Sequence, residues 1–271
     1  MSCKIFFSDL DGTLLNSSKI ITKMTKSAIF QWMEAGNIFV FSSGRPLPSI
    51  LEVVDNNNLN HANLYTIAFN GGLIYHPANR QKITEKTLSL TTVERIYQIA
   101  KKHNIYCHTY DDTTILIPRE GSEILYYTQS IHLPYRILKD FPAGLIQSPC
   151  KVLCIDLSKT NALDCLALDL ESNLSDLVTC VRSNTNLLEV FSKDSGKGVA
   201  VQELADMLHI PYEYTYAAGD EQNDLSMLSA AAHSVAMCNG NINIQKMAEY
   251  VTTLDNDNDG LFPFFTKFLS Q

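Results

Sequence analysis

Ile5-Phe6-Phe7-Ser8-Asp9-Leu10-Asp11-Gly12-Thr13 is the stretch whose reading decides the fold of this chain. Ile5-Phe6-Phe7 is an apolar run that predicts the first strand of a sheet. Side chains alternate along a strand, so Asp9 and Asp11 leave its end on one side, about 7 Å apart in ideal geometry. Two carboxylates so placed repel each other unless a cation or a shared proton joins them. Gly12 lets the chain turn sharply, and Thr13 can hydrogen-bond locally in that turn. A nucleophile, an acid and a ligand for Mg²⁺ can all be built from these few residues. An ordinary acidic turn after a strand would look the same, so the remainder of the chain has to decide.

Working outward, strand-like runs alternate with helical ones at both ends of the chain. A helix carrying Ala28, Ile29, Trp32 and Met33 on one face, closed by Gly36, leads into the strand-like Ile38-Phe39-Val40-Phe41. Tyr65 to Phe69 is another such run, and Tyr214 to Ala218, a helix near Asp224 to Ala231, and Ser234 to Met237 follow late in the chain. Short strands separated by helices predict an α/β fold, a doubly wound, Rossmann-like parallel sheet with helices on both faces. The middle has a different texture. Thr91-Thr92-Val93-Glu94 has the pattern of a capping box opening a helix to about His103. Strand candidates at Ile105–His108 and Thr114–Ile117, a helix near Glu120–Ile131, a strand at Lys151–Leu157, a helix near Ala162–Glu171 and a strand at Val178–Val181 follow it. Residues 1–82 and 189–271 are therefore expected to form one core, with 83–188 inserted as an α/β cap domain.

Ligands of an open α/β sheet bind beyond the carboxyl ends of its strands, so the residues after each strand carry the chemistry. Ser42-Ser43-Gly44-Arg45-Pro46 follows the second run. The Ser43 hydroxyl and the Gly44 amide suit a phosphate oxygen, and a plain helix cap explains Ser43 equally well. Asn70-Gly71-Gly72 follows the third run, either as a hairpin turn or as a turn facing a pocket. Gly219-Asp220-Glu221-Gln222-Asn223-Asp224 offers five oxygen-bearing side chains in one strand-to-helix turn, a hard-cation donor set. Asp224 could instead cap the helix and buttress the others. In Asp194-Ser195-Gly196-Lys197-Gly198, Lys197 can neutralise a nucleophile and a phosphoryl oxygen together, or stand solvated in a turn.

Other patterns exclude functions. Asp194–Gly198 is not a nucleotide P-loop, because Phe191 stands where its first glycine belongs and Gly198 replaces the Ser or Thr after the lysine. Asp255-Asn256-Asp257-Asn258-Asp259-Gly260 begins like a calcium-binding EF-hand loop, but Thr266 replaces the twelfth-position Glu and Pro263 interrupts it, so a polar surface loop is expected. The 271-residue chain is 45% hydrophobic with a net charge of −8, which argues against nucleic acid or an anionic membrane as partner. The absence of a signal-like segment and of any long apolar run predicts a cytoplasmic location, and the seven scattered cysteines are expected to be reduced thiols. The seven histidines have no metal-ligand spacing and are expected at the surface or in packing.

Asp9-Leu10-Asp11-Gly12-Thr13, Ser43-Gly44-Arg45, Lys197 and Gly219–Asp224, in that order, resemble the haloacid dehalogenase-like phosphohydrolase superfamily. The insertion after Asn70-Gly71, with Val235-Ala236-Met237-Cys238-Asn239-Gly240, resembles its Cof-type (IIB) branch. Ser43 stands where that branch usually has Thr, and Cys238 and Gly240 replace the commoner Gly and Ala around Asn239. The resemblance implies a phosphatase of small phosphomonoesters, such as sugar phosphates or phosphorylated cofactors. Asp9 is then the nucleophile and Asp11 the general acid and base. Mg²⁺ would be held by Asp9, Asp220 and the Asp11 carbonyl. The phosphoryl oxygens would be held by Ser43, Lys197, Asn223 and the amides near Leu10 and Gly44. Arg45 and Asn70 would face substrate or cap, Asp224 would support the site, and the cap would close over it. A phosphomutase and a non-enzymatic Mg²⁺-dependent phospho-receiver are the alternatives; the large α/β insertion counts against both, and the second acid, Asp11, against the receiver. His108, Tyr110, Arg119, Tyr126 and Arg182 are the cap residues that could contact a leaving group.

Overall fold

The computed structural model describes residues 2–158 and 161–269. The chain divides into two compact units. The first comprises the chain up to Gly44, Ile50–Thr84 and the chain from Gly196 onward; the second comprises Arg45–Ser49 and Glu85–Ser195. In chain order the first elements are β1 (Ile5–Ser8), α1 (Lys23–Glu34), β2 (Ile38–Ser42), α2 (Leu47–Asn56), β3 (Leu64–Ala68), β4 (Leu73–His76) and β5 (Gln81–Glu85). Next come α3 (Leu90–Lys102), β6 (Tyr106–Tyr110), β7 (Ile115–Ile117), α4 (Ser122–Thr128), β8 (Tyr135–Ile137), β9 (Lys151–Ile155), α5 (Ala162–Leu174), β10 (Val178–Asn184) and β11 (Leu187–Ser192). The chain closes with α6 (Lys197–Met207), β12 (Thr215–Gly219), α7 (Leu225–Ala230), β13 (His233–Ala236), α8 (Ile242–Met247), β14 (Tyr250–Val251) and α9 (Phe262–Leu269).

The first unit is the α/β fold the sequence predicts. Its sheet runs β14-β13-β12-β1-β2-β3-β4-β5, parallel from β14 to β3, with β4 turned back antiparallel on β3. Every side chain of β1 is buried, as a strand covered on both faces requires. Phe6 packs on one face against Trp32 of α1 and Phe265 and Phe268 of α9, its ring centroid 4.8 Å from that of Phe265. Ile5 and Phe7 point to the other face, into a cluster with Ala200, Val201 and Leu204 of α6 and Met227 and Leu228 of α7. The 3.6-residue spacing of Ala28, Ile29, Trp32 and Met33 does bury one face of α1, and Gly36 takes the left-handed conformation (φ 83°) just past its end.

The start of α1 is capped from a distance. Thr22, its N-cap residue, makes no side-chain cap bond of its own. Asp259 instead accepts from the Thr25 amide (3.1 Å) and from the hydroxyls of Thr22 and Thr25. The Asp255–Gly260 segment is the polar surface loop expected, and it also acts as a clasp. Asp257 accepts from the amide and hydroxyl of Ser17, both at 2.6 Å, and the Asn256 amide group donates to the Leu15 carbonyl.

The second unit has a sheet ordered β10-β11-β9-β6-β7-β8, antiparallel except for β7 and β8. One face packs Cys107, Val152, Cys154, Leu188 and Val190 against Val93 and Ile96 of α3 and Leu166 and Leu170 of α5. Cys107 and Cys154 stand directly opposite each other on β6 and β9, a pairing that sequence proximity had hidden behind Cys150 and Cys154. All seven cysteines are free thiols. Residues of opposite alternation hold a buried polar group. Lys151 pairs with Glu189 (2.6 Å), and His108 bonds the Tyr110 hydroxyl (3.1 Å), which donates to that of Tyr127. Burial, and then the Lys151 charge, push His108 down to about 3, so its ring is neutral. Of the other cap residues singled out, Arg119 pairs with Glu123 and Arg182 with Asp164. The capping of α3 differs from the expected box at Thr91. Ser89 is the N-cap and accepts from the Thr92 amide at 3.1 Å, because the helix starts earlier than the Thr-Thr-Val-Glu pattern places it.

The turn between β3 and β4 sets where α6 begins. Gly71 has φ 95°, and a Cβ there would lie 2.3 Å from the carbonyl oxygen of Gly196. Gly71→Ala therefore combines a strained backbone with a clash against the residue before Lys197, and is expected to cost about 2–4 kcal/mol. Urea unfolding of the variant beside the parent checks this.

Candidate active site

Four parallel strand ends lie side by side, because β12, β1, β2 and β3 are neighbours running the same way. The residues that follow them are Asp220, Asp9, Ser43 and, one turn on, Asn70. Backbone bonds fix their places: the Asp9 amide donates to Ala218, the Ser43 amide to Ile67, and the Asn70 amide to Ser43. Asn70 and Gly71 do form the hairpin turn between β3 and β4, with Asn70 buried and left-handed (φ 55°). The Arg45 guanidinium donates to the Ser49 hydroxyl at 3.2 Å.

Lys197, the first residue of α6, is 1% exposed. Its Nζ lies 2.5 Å from Asp9 Oδ1 and 2.5 Å from Asp224 Oδ1. Burial alone would lower the pKa of this ammonium, but Asp224 and Asp9 outweigh it and the net shift is upward, so Lys197 is charged. The solvated-lysine reading is thereby excluded. Asp224 is fully buried, and its other oxygen, Oδ2, accepts from the amides of Asp220 (3.0 Å) and Glu221 (3.1 Å). It is both the buttress and part of a reciprocal cap with Glu221. Asn223 sits half-buried in the same turn.

Asp220 is held from the far end of the chain. Thr13 Oγ1 donates to Asp220 Oδ1 at 2.7 Å, rather than bonding locally in its own turn. Gly12 makes this approach possible: with φ 84°, a Cβ there would stand 2.4 Å from Asp220 Oδ2. The Gly12 carbonyl in turn accepts from the Asn239 side chain (2.8 Å).

Asp9, Asp220 and Asp224 bring carboxylate oxygens within 4.8 Å of one another, all three buried. One ammonium among three carboxylates leaves excess negative charge. Burial first, and then Asp224, push Asp9 well above the ordinary carboxylate range. The same two causes, in that order, raise Asp220 to about 7. Lys197 is committed to Asp9 and Asp224, and Asp224 to Lys197 and the backbone, while among the described residues no hydrogen bond reaches Asp9 Oδ2 or Asp220 Oδ2. An all-oxygen set with unsatisfied negative charge fits a hard divalent cation such as Mg²⁺.

The Asp11 carboxylate stands apart from this cluster. It is partly exposed and paired with Lys19, whose Nζ lies 2.6 Å from Asp11 Oδ1. The sequence reading paired Asp9 with Asp11; the carboxylates closest to Asp9 are those of Asp220 and Asp224. Lys19 and the partnership of Thr13 with Asp220 are not visible in local pattern, since Lys19 belongs to no strand-end motif and the partner of Thr13 is 207 residues away.

A profile of haloacid dehalogenase-like hydrolases matches residues 6–265. The chain belongs to that family. Among relatives of this hydrolase, Bacillus subtilis phosphatase YwpJ is 28% identical over 283 residues, covering 95% of this chain and 97% of the relative. The 5-amino-6-(5-phospho-D-ribitylamino)uracil phosphatase YwtE, also of Bacillus subtilis, is 27% identical over 286 residues, covering 97% and 96%. The crystal structure of a haloacid dehalogenase-like hydrolase from Bacteroides thetaiotaomicron superposes with a TM-score of 0.88 at 26% identity, over 98% of this chain and 99% of that one. This hydrolase has, among its described residues, no helix long and apolar enough to cross a membrane.

The Asp220 shift has a defined sign in stability. Unfolded, its carboxyl ionises near pH 4; folded, at about 7. Between those values the folded state holds a proton that the unfolded state has lost, so stability falls as pH rises through that window and levels above it. Metal-free protein is expected to melt lower at pH 8 than at pH 5, relative to an Asp220→Asn variant measured alongside. Added Mg²⁺ is expected to raise the melting temperature more at pH 8 than at pH 5, and to do so much less in Asp220→Asn. Differential scanning fluorimetry at both pH values checks the pair of expectations.

Proposed function

We propose that this hydrolase is a Mg²⁺-dependent phosphatase that releases phosphate from small phosphomonoesters through a phosphorylated Asp9. The observation that carries the reading is Asp9 itself: a buried carboxylate at a strand end, one oxygen held by Lys197 and the other uncommitted. Asp9 Oδ2 and Asp220 Oδ2, with the Asp11 backbone carbonyl, would hold the cation. Bound there, it would supply positive charge against the phosphoryl oxygens and relieve the repulsion between the carboxylates. Lys197 fixes the Asp9 carboxylate and shares its charge with a phosphoryl oxygen. The Ser43 hydroxyl, the Asn223 side chain and the amides of Leu10 and Gly44 are the remaining donors for that group. Arg45 and Asn70, which follow the same strand ends, are the candidates for contacts to the rest of the substrate.

In the first step an Asp9 oxygen attacks phosphorus. The bond to the leaving oxygen breaks with its electron pair, and Asp11 gives that oxygen a proton. In the second step Asp11 takes a proton from water as the water oxygen attacks phosphorus, and the Asp9–phosphorus bond breaks to release inorganic phosphate. A positioned acid and base of this kind is worth about 10²–10⁴ in rate.

Phosphate release from a panel of sugar phosphates, phosphorylated cofactors and the substrate named for the YwtE relative is the test. Release is expected only with Mg²⁺, absent in Asp9→Asn and reduced about 10²–10⁴-fold in Asp11→Asn with the fold retained. Isomerisation of a sugar phosphate without phosphate release would point to a mutase. Silence of well-folded protein across the panel would sink the phosphatase reading.

A further inference from the structure

Asn239 lies in the run Val235–Gly240, which the reaction above leaves unused, and it stands on a turn locked onto Asp220. Gln245 fixes the inside of that turn: its Nε2 lies 3.3 Å from the Met237 carbonyl oxygen and 2.9 Å from those of Cys238 and Gly240. The Met237 amide donates to the Gly219 carbonyl (3.1 Å), the Cys238 amide to the Thr252 hydroxyl (2.9 Å), and the Asn241 amide to the Asp220 carbonyl (2.7 Å). Packing against Asp220 is close as well: a Cβ on Gly240 would lie 2.7 Å from the Asp220 backbone oxygen. The turn and the acid are therefore fixed to each other.

From this support the exposed Asn239 side chain reaches across to the turn after β1. Its Nδ2 donates to the Gly12 carbonyl at 2.8 Å, and its Oδ1 accepts from the Asn256 amide at 3.3 Å. The second bond supports the first, since it holds the side-chain amide with its nitrogen toward Gly12. Gly12 is where an outside restraint matters most: at φ 84° and without a Cβ, its own backbone is the least confined in the turn. The peptide before it carries the Asp11 carbonyl, and the residue after it is Thr13, whose hydroxyl donates to Asp220 Oδ1. Stability alone is a poor account of the Asn239 bond, because water competes for both partners of an exposed hydrogen bond and the net contribution is small. What the bond does is join the two turns that carry oxygens proposed for the cation.

We propose that Asn239 is a positioning residue for the cation site. The inference rests on the metal part of the reading above and adds a residue that touches neither cation nor substrate. By tying the Gly12 carbonyl to a turn that is itself fixed to Asp220, Asn239 sets the direction of the Asp11 carbonyl relative to the Asp220 carboxylate. Mg²⁺ demands near-octahedral oxygens and binds weakly where they are held out of register. Groups that orient a metal's ligands are worth about 10–100-fold in affinity, and Asn239, acting through a neighbouring peptide, belongs at the lower end of that range.

The experiment titrates Mg²⁺ alone into the metal-free full chain at pH 8 and reads the dissociation constant by calorimetry. Parent, Asn239→Ala, Asn239→Ser and Ser17→Ala are measured side by side, with melting temperatures confirming that each is folded. Ser17→Ala removes an exposed hydrogen bond of similar kind, the one its hydroxyl gives to Asp257, without touching Gly12. Both Asn239 variants are expected to bind Mg²⁺ about tenfold more weakly, with Ser17→Ala within about twofold of the parent. Unchanged affinity in either folded Asn239 variant would overturn the proposal. An equal loss in Ser17→Ala would also overturn it, because general loosening of the segment after β1 would then explain the effect. A parent without affinity for Mg²⁺ would remove the proposal together with the metal site it serves. The titration needs no turnover, so a failure of the phosphatase reading in the phosphate-release assay is read separately from a failure here.

Discussion

The Lys197 ammonium is the constraint on which the site depends. A charged amine with almost no exposure is tolerable only if carboxylates surround it, and carboxylates as buried as Asp9 and Asp224 need it equally. Meeting that mutual requirement ties together the end of β1, the start of α6 and the turn before α7. These segments are 188 and 27 residues from Lys197 along the chain. The consequence propagates through Asp224, whose second oxygen takes the amides of Asp220 and Glu221 and so sets the course of the chain beyond β12. Thr13 completes the circuit by reaching Asp220 from the turn after β1. The two central strand ends are therefore joined twice, once through a lysine and once through a threonine.

This circuit organises the acids without neutralising them. Asp9 and Asp220 retain raised affinities for protons, because burial and then the Asp224 charge outweigh what Lys197 and Thr13 supply. A site in that condition can bind a proton or a cation, and which one it holds decides whether Asp9 is available for the nucleophilic role proposed for it. The chemistry proposed for Asp9 thus follows from the imbalance as much as from the residue's position. Asp11, by contrast, is kept out of the imbalance. Paired with Lys19, it is partly exposed and separate from the buried cluster, which suits the proton exchange proposed for it.

Much of this is legible in the amino-acid sequence, for a physical reason. Parallel strands covered on both faces give apolar runs, and ligand chemistry collects where those runs stop, so Asp9, Ser43, Asn70 and Asp220 declare themselves by position alone. Lys197 was recognisable as a lone cation before a helix, although its solvated alternative could be set aside only by its burial. What local pattern could not convey was partnership at long range. The Thr13 hydroxyl, expected to bond within its own turn, instead serves Asp220. The N-terminus of α1 receives its cap from Asp259, 234 residues away. The Thr-Thr-Val-Glu pattern at residue 91 carries all the features of a capping box, yet Ser89 caps the helix, because a box is defined by where the chain bends and several hydroxyls here could serve. His108, one of seven histidines without a motif, proved to be fully buried beside a buried ion pair, which only cross-strand register reveals.

The two acidic segments of the chain show how such patterns can be told apart. Asp255–Gly260 and Gly219–Asp224 are both dense in oxygen donors, and both look like cation sites in sequence. Their carboxylates behave in opposite ways. Asp257 is held below the ordinary range by the Ser17 hydroxyl and amide. Asp259 is also lowered, since its bonds to Thr22 and Thr25 overcome the penalty of its partial burial. Both acids already have donors from the chain itself and are spent on anchoring the segment that follows β1. Asp9 and Asp220 are shifted upward, by burial first and then by the Asp224 charge, which their donors do not offset. Composition describes the two segments alike; the direction in which the fold moves their proton affinities separates an acidic cluster that has found its partners from one that could still hold a cation.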